Sequence, residues 1–185
     1  MKPIIIGDKY LCRILRPVEF EQLLTGIKKE DFKLNIKIAL LTGMRYTELR
    51  EFQRNPGWWD GNFIHIRERK KKRVHRERWV RVNHLAANLI PLFFRSRKLP
   101  AQQVWDENLK RWAERARLDP AGMCSKTTRK TWESWLVTCF PHKMPHIVMS
   151  QGHTETTALQ HYIRLPFTKK DEGEMLKWVQ GWDEI

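Results

Sequence analysis

The stretch Asp31-Phe32-Lys33-Leu34-Asn35-Ile36-Lys37-Ile38-Ala39-Leu40-Leu41-Thr42-Gly43-Met44-Arg45-Tyr46-Thr47-Glu48-Leu49 decides how this chain folds. Phe32, Ile36, Ala39 and Leu40 recur at helical spacing, Asp31 is the expected N-cap, and Gly43 can adopt the left-handed turn that stops a helix. Arg45 therefore follows a helix end. A second, shorter helix is expected from Tyr46 to about Phe52, halted by the turn residues Asn55-Pro56-Gly57. Glu48 lies one helical turn beyond Arg45, at the spacing of a salt bridge that would aim the guanidinium.

Toward the N-terminus, Pro17 suits the first turn of a helix with Phe20, Leu23 and Leu24 on one face, ending near Gly26. Residues 1–16 are expected to be an extension ahead of it. In the other direction the period changes to two. Phe63-Ile64-His65-Ile66 and Trp79-Val80-Arg81-Val82 are the expected strands of one small antiparallel hairpin. Asn83 then caps a helix through Leu85, Leu89, Leu92 and Phe93, and a helix from Ala101 to about Arg117 carries Val104, Leu109, Trp112 and Ala116. Further helices are expected over about 127–138, 145–151, 155–163 and 170–180. No internal repeat or low-complexity linker appears, so the chain reads as one mostly helical α+β domain over 17–165. Residues 166–185 form a tail helix. Its stripe of Met175, Leu176, Trp178, Val179 and Trp182 suits docking, on its own domain or on a neighbouring protomer. Of the nine Trp, Trp112, Trp132 and Trp135 sit at helix-face positions expected in the core.

Composition narrows the partner. Lys and Arg number 35 against 21 Asp and Glu, a formal charge of +14 that attracts polyanions. The stretch from Arg67 to Arg81 holds nine Lys or Arg and two Glu, so half of the net charge lies on the hairpin. Nucleic acid is the expected partner. No segment approaches the roughly 20 apolar residues that span a bilayer, and Met1–Gly7 has too short an apolar run for a secretory signal. An intracellular protein is expected. Cys12, Cys124 and Cys139 make no disulfide framework and suit a reducing compartment. Cys139, His142 and His146 have metal-like spacing but lack the fourth ligand of a structural zinc site, and no metal is expected.

Four pieces stand in order along the chain: Thr42-Gly43-Met44-Arg45-Tyr46-Thr47-Glu48-Leu49, the basic hairpin, Lys126-Thr127-Thr128-Arg129, and Gly152-His153 followed by Tyr162. Together they resemble the catalytic domain of tyrosine recombinases, the phage-integrase family. That family's signature is an Arg after a TG turn, a hairpin Lys, an H-x-x-R box, a later His or Trp, and a Tyr nucleophile. The resemblance runs from about Pro17 to the C-terminus. Lys126 departs from it, standing where the box has His. A K-x-x-R box is similar to that of integrases from archaeal viruses related to the spindle-shaped fuselloviruses.

The resemblance implies a tyrosine-recombinase-like α+β fold and a site-specific recombinase or integrase that breaks and rejoins DNA through a 3′-phosphotyrosyl intermediate, without metal, ATP or other cofactor. It implies Arg45, Lys72, Lys126, Arg129, His153 and Tyr162 as catalytic residues, and Glu48 behind Arg45. Lys70, Lys71, Arg73, Arg76 and Arg78 would contact DNA. The chemistry suits these types. Attack on a phosphodiester places negative charge on the nonbridging oxygens, and planar guanidiniums donate to them bidentately. A hairpin lysine can protonate the leaving 5′ oxygen, with Lys72 the first choice and Lys70 and Lys71 next. Lys126 leaves the general base open, because an ordinary lysine, with a reference pKa of about 10.4, donates instead of accepting. Expected partners are double-stranded DNA at attachment sites and further copies of the chain in a tetrameric synapse, in a prokaryotic host cytoplasm, from a virus- or plasmid-borne gene. The family usually has a core-binding domain before the catalytic one, so an isolated catalytic domain with weak, salt-sensitive DNA binding is expected. Two rivals share the charge: a non-catalytic helix-turn-helix reader built from Pro145 to Ile163, and a type IB topoisomerase.

Overall fold

Gly43 divides the chain as its sequence demands. In the computed structural model, which describes residues 2–7, 11–67, 77–152 and 165–184, it ends a long helix in the left-handed conformation, at φ 58°. Eight helices and four strands are present among the described residues: β1 (Ile4–Ile6), β2 (Cys12–Ile14), α1 (Pro17–Thr25), α2 (Glu30–Thr42), α3 (Tyr46–Arg54), β3 (Phe63–Ile66), β4 (Arg78–Arg81), α4 (His84–Arg95), α5 (Gln102–Arg115), α6 (Thr127–Cys139), α7 (Met144–Gln151) and α8 (Lys169–Val179). The architecture is mostly helical α+β. The helix expected over 155–163 lies outside the described residues.

Two helices form the axis. α2 is buried on nearly every side from Asn35 to Thr42, packed against α4 and α6. α6 is buried from Thr127 to Val137 except at Lys130, although that stretch is rich in Thr and Ser and carries Arg129 and Glu133. Helices hydrophobic on one stripe sit at a surface, whereas burial all round marks the centre of a bundle. Around this axis lie Phe20, Leu23, Phe52, Phe93, Trp105 and Leu109, each at most 1% exposed. Trp112, Trp132 and Trp135 are core residues as expected, and Trp105 and Trp182 join them.

The hairpin β3–β4 is antiparallel, with Phe63 opposite Arg81, Ile64 opposite Val80, His65 opposite Trp79 and Ile66 opposite Arg78. Ile64 and Val80 face the core and Trp79 faces out. β4 starts one residue earlier than the sequence suggests. Asn83 caps α4 by accepting from the Ala86 amide at 3.1 Å, as expected. The N-cap of α2 is Lys29 instead of Asp31, which lies in the first turn, where a carboxylate suits the positive end of the helix.

One expectation needs correction: the structure has two small antiparallel sheets. β1 and β2 pair Ile4 with Ile14 and Ile6 with Cys12. β2 then seats on α6, where the Leu15 amide donates to Thr131 Oγ1 at 3.0 Å and Trp135 Nε1 donates to the Leu15 carbonyl at 2.9 Å. Cys12, Ile14 and Leu15 are buried. The stretch read as an extension thus supplies part of the core. α8 closes the same side of the molecule, with Met175, Val179 and Trp182 fully buried and Trp178 edge-on to Phe20 at 5.2 Å. Arg16 ties it down through a buried ion pair with Asp171. The tail's apolar stripe is therefore used within the chain, apart from Leu176, which is 48% exposed. No described helix is long and apolar enough to cross a membrane.

Candidate functional site

The site begins at the joint between α2 and α3. With Gly43 in the left-handed region and Met44 buried behind it, Arg45 adopts extended backbone as the N-cap of α3. Glu48 reaches back from the first turn. Its carboxylate accepts from the Arg45 amide at 2.9 Å and from Arg45 Nη1 at 2.9 Å. The expected pair of Arg45 and Glu48 is thus formed, and it leaves the Arg45 side chain 35% exposed. Gly43 has a second reason to be glycine, since a Cβ there would lie 2.6 Å from the Gln151 side chain and 2.7 Å from Trp132.

Arg129 comes from α6 and is 5% exposed. Nη1 donates to the Gly43 carbonyl at 2.8 Å and Nη2 donates to the carbonyl of Gln151. These carbonyls stand at the C-terminal ends of α2 and α7, where the last peptide oxygens lack helical partners and the helix dipole is negative. One guanidinium therefore fastens two helix ends. Arg45 Nη2 lies 3.3 Å from the Gly152 carbonyl at the same junction. Residues 43–45, 129 and 151–152 converge here.

Arg78 requires a correction. The sequence suggested a phosphate contact, but its side chain is 7% exposed and turned inward. Nη1 and Nη2 grip the two Glu48 oxygens at 2.8 and 2.7 Å, and Nε donates to the Ser150 carbonyl at 3.1 Å. A bidentate, charge-assisted pair in a buried place fixes geometry strongly. Arg78 thus acts on Arg45 through Glu48. Gly152 makes room for it: at φ 66°, a Cβ there would come within 2.8 Å of Arg78 Cδ.

Burial alone would raise the Glu48 carboxyl, but the hydrogen bonds and charge of Arg78, with Arg45 and Arg129 nearby, outweigh it and hold the group down at about 2. Arg129 is lowered to about 10, first by burial and then by Arg45, and stays protonated at neutral pH. Glu48 is thus ionised at neutral pH, in the middle of three arginines.

Above this cluster opens a cavity of about 340 Å³. Four cationic side chains line it, Arg45, Lys126, Arg129 and Lys130, together with Tyr46, Thr47, Gln102 and Ser125. No carboxylate is among its lining residues within the described part of the chain. Lys126 is the N-cap residue of α6, so the positive end of that helix adds to the field. The arrangement suits a compact anion with several oxygens, and a phosphodiester has that form. Tyr46 turns its hydroxyl away to the Pro100 carbonyl at 3.0 Å and stacks on Trp105, and burial pushes its phenol above the usual tyrosine value.

Of the residues expected at the site, Arg45, Glu48, Lys126 and Arg129 are brought together. Lys70, Lys71, Lys72, Arg73, Arg76, His153 and Tyr162 lie outside the described residues. The sequence reading missed Lys130, Gln102 and Ser125. Lys130 had a signal, because it stands four residues after Lys126 and hence on the same helix face. Gln102 had none, being brought in from α5. Comparison with protein-family models, with curated proteins and with solved structures found no match for this chain.

Proposed function

We propose that this chain is the catalytic part of a DNA strand transferase of the tyrosine-recombinase kind. The observation that carries the reading is the cavity in which Arg45, Lys126, Arg129 and Lys130 meet, with no carboxylate among its described lining residues and Glu48 behind it. Residues 84 positions apart supply its two arginines, in the order and setting that the resemblance implies.

In this reading a DNA phosphodiester enters the cavity and its nonbridging oxygens lie against Arg45, with Arg129 behind. The Tyr162 hydroxyl oxygen attacks phosphorus as its proton passes to solvent, forming a 3′-phosphotyrosyl bond as the bond to the 5′ oxygen breaks. Lys72 protonates that leaving oxygen, and His153 hydrogen-bonds the phosphate. The ester bond is conserved in the intermediate, so a second 5′ hydroxyl can reverse the step without metal or ATP. Charge accumulates on the phosphate oxygens in the transition state, where fixed cations stabilise it without reorganising. Site-specific integration, with copies of the chain assembled on duplex attachment sites, is the corresponding biological role.

A pool of nicked suicide duplexes of varied sequence tests this directly. The protein is expected to become covalently attached to the 3′ end of the cut strand, with the adduct mapping to the Tyr162 peptide. Tyr162→Phe is expected to bind DNA and form no adduct, while Tyr46→Phe still forms it. An adduct made by the Tyr162→Phe protein would overturn the proposal. Binding by the unaltered protein with no cleavage of any duplex would favour a DNA reader instead.

A further inference from the structure

Cys12 and Cys124 are separated by 112 positions, yet their sulfurs lie 3.7 Å apart. Several ties hold them there. The Arg13 amide donates to the Gly122 carbonyl at 2.9 Å, binding β2 to the loop before α6. Thr127 Oγ1 accepts from the Cys124 amide at 3.0 Å and lies 4.0 Å from Cys12 Sγ. The two thiols differ in access, since Cys12 is 1% exposed and Cys124 is half-buried. Cys124 directly precedes Ser125 and Lys126, which line the cation-rich cavity.

We propose that Cys12 and Cys124 are a reversible oxidation site, converted by hydroperoxides into a disulfide that ties β2 to the loop carrying Ser125 and Lys126. A disulfide needs an S–S distance of about 2.0 Å, so the sulfurs have to close by about 1.7 Å. In the first step the Cys124 thiolate attacks the outer peroxide oxygen. The O–O bond breaks, Cys124 becomes a sulfenic acid, and the departing alkoxide or hydroxide takes up a proton. In the second step Cys12 sulfur attacks Cys124 sulfur, the S–O bond breaks, and the Cys12 proton leaves with the hydroxyl as water. Two thiols and one hydroperoxide thus give one disulfide, one alcohol or water, and one further water.

The surroundings assign these roles. The hydrogen bond with Cys12 lowers the Cys124 thiol, as do the Lys126 amide and the Thr127 hydroxyl, and together they outweigh the effect of burial. The thiolate is the nucleophile toward peroxide, and Cys124 is the more accessible of the two. Cys12, raised by its hydrogen bond with Cys124 and by burial, stays protonated until it resolves the sulfenic acid. Cys139 is pushed up to about 12 by burial and serves as an internal control.

The site stands independently of the strand-transfer reading, and its test needs no DNA. Full-length protein is treated with a small excess of hydrogen peroxide, alkylated, and digested without reductant. Expected are loss of two of the three thiols, a linked peptide pair containing Cys12 and Cys124, an alkylated Cys139, and full recovery on adding dithiothreitol. Closing so long a loop is also expected to raise the melting midpoint by roughly 5–10 °C. Cys139→Ser keeps the linkage, and Cys124→Ser abolishes it. Three intact thiols after treatment, a linkage through Cys139, or Cys124 driven to sulfinic acid beside an alkylated Cys12 would each overturn the proposal.

Discussion

Glu48 shows how much of the site hangs on single atoms. Oε1 accepts from Arg45 and Arg78, and Oε2 accepts from the Arg45 amide and from Arg78, so one carboxylate sets two guanidiniums and a helix start. Replacing it by Gln keeps the shape but removes the charge and turns an amide N–H toward a guanidinium. Breaking one side of such a buried pair costs about 3–5 kcal/mol, and Glu48→Gln is expected to unfold that much more readily in urea at pH 7. The pH dependence has a definite sign. The folded-state value, about 2, lies below the reference value of 4.5, so the contribution is complete above the unfolded value and fades as pH falls toward 2. The gap between the unaltered protein and Glu48→Gln is expected to narrow by about 3 kcal/mol between neutral pH and pH 2. A gap that stays constant down to pH 3 would show that the charge of Glu48 contributes little. Arg45→Lys separates positioning from charge at the same place. It keeps the cation but loses the planar fork, and the proposed strand cleavage is expected to fall at least 10²-fold, about the effect of losing one preorganised donor, with the melting point nearly unchanged.

At the scale of elements, the junction of α2, α6 and α7 is where helix ends become a site, and its glycines are the parts least open to substitution. Gly43→Ala places a Cβ at φ 58° and 2.6 Å from the Gln151 side chain, so it is expected to cost about 2 kcal/mol or more and to loosen the Arg129 bridge. A thermal melt unchanged within 1 °C or so would be incompatible with that packing. This junction was largely legible in the sequence, because a helix stop, an N-cap Arg and a carboxylate three residues later all have local signatures. The two hairpin strands were legible through their alternation, although their register was not, since β4 starts one residue earlier than expected. Arg78 was misread because its basic neighbours suggested a solvated face. Alternation could have corrected this, since Arg78 and Val80 are two apart and share the inward side. β2 had no such signal, as Cys12, Arg13 and Ile14 are all buried and show no period at all. α6 was expected at about 127–138, but its burial on all sides was not, because Thr127, Thr128, Thr131, Glu133 and Ser134 are core residues whose burial depends on partners far away in sequence. Lys130 and Gln102 share a cavity only once α5 and α6 are docked.

For the whole molecule, the charge of +14 acts as one field, and the DNA binding proposed above is to be tested through salt. Affinity is expected to fall roughly 10³-fold or more between about 50 and 200 mM salt, and Lys126→Ala should reduce the slope of log affinity against log salt by about one. The fold that carries this field depends on its first residues. Cys12, Ile14 and Leu15 are buried, each apolar side chain of this size contributes about 1.5–3 kcal/mol, and Trp135 Nε1 would lose its acceptor at Leu15. Arg13 also holds Glu19 at 2.7 Å and donates to the Asp119 carbonyl, joining the start of α1 to the loop after α5. These losses together approach the 5–15 kcal/mol by which a domain is stable. A fragment spanning residues 17–185 is therefore expected to lack a cooperative thermal transition by circular dichroism, or to melt more than about 10 °C below the full chain. If the fragment melts with the full chain, residues 1–16 are an appendage after all, and the anchoring of α6 by β2 contributes nothing to the site that α6 carries.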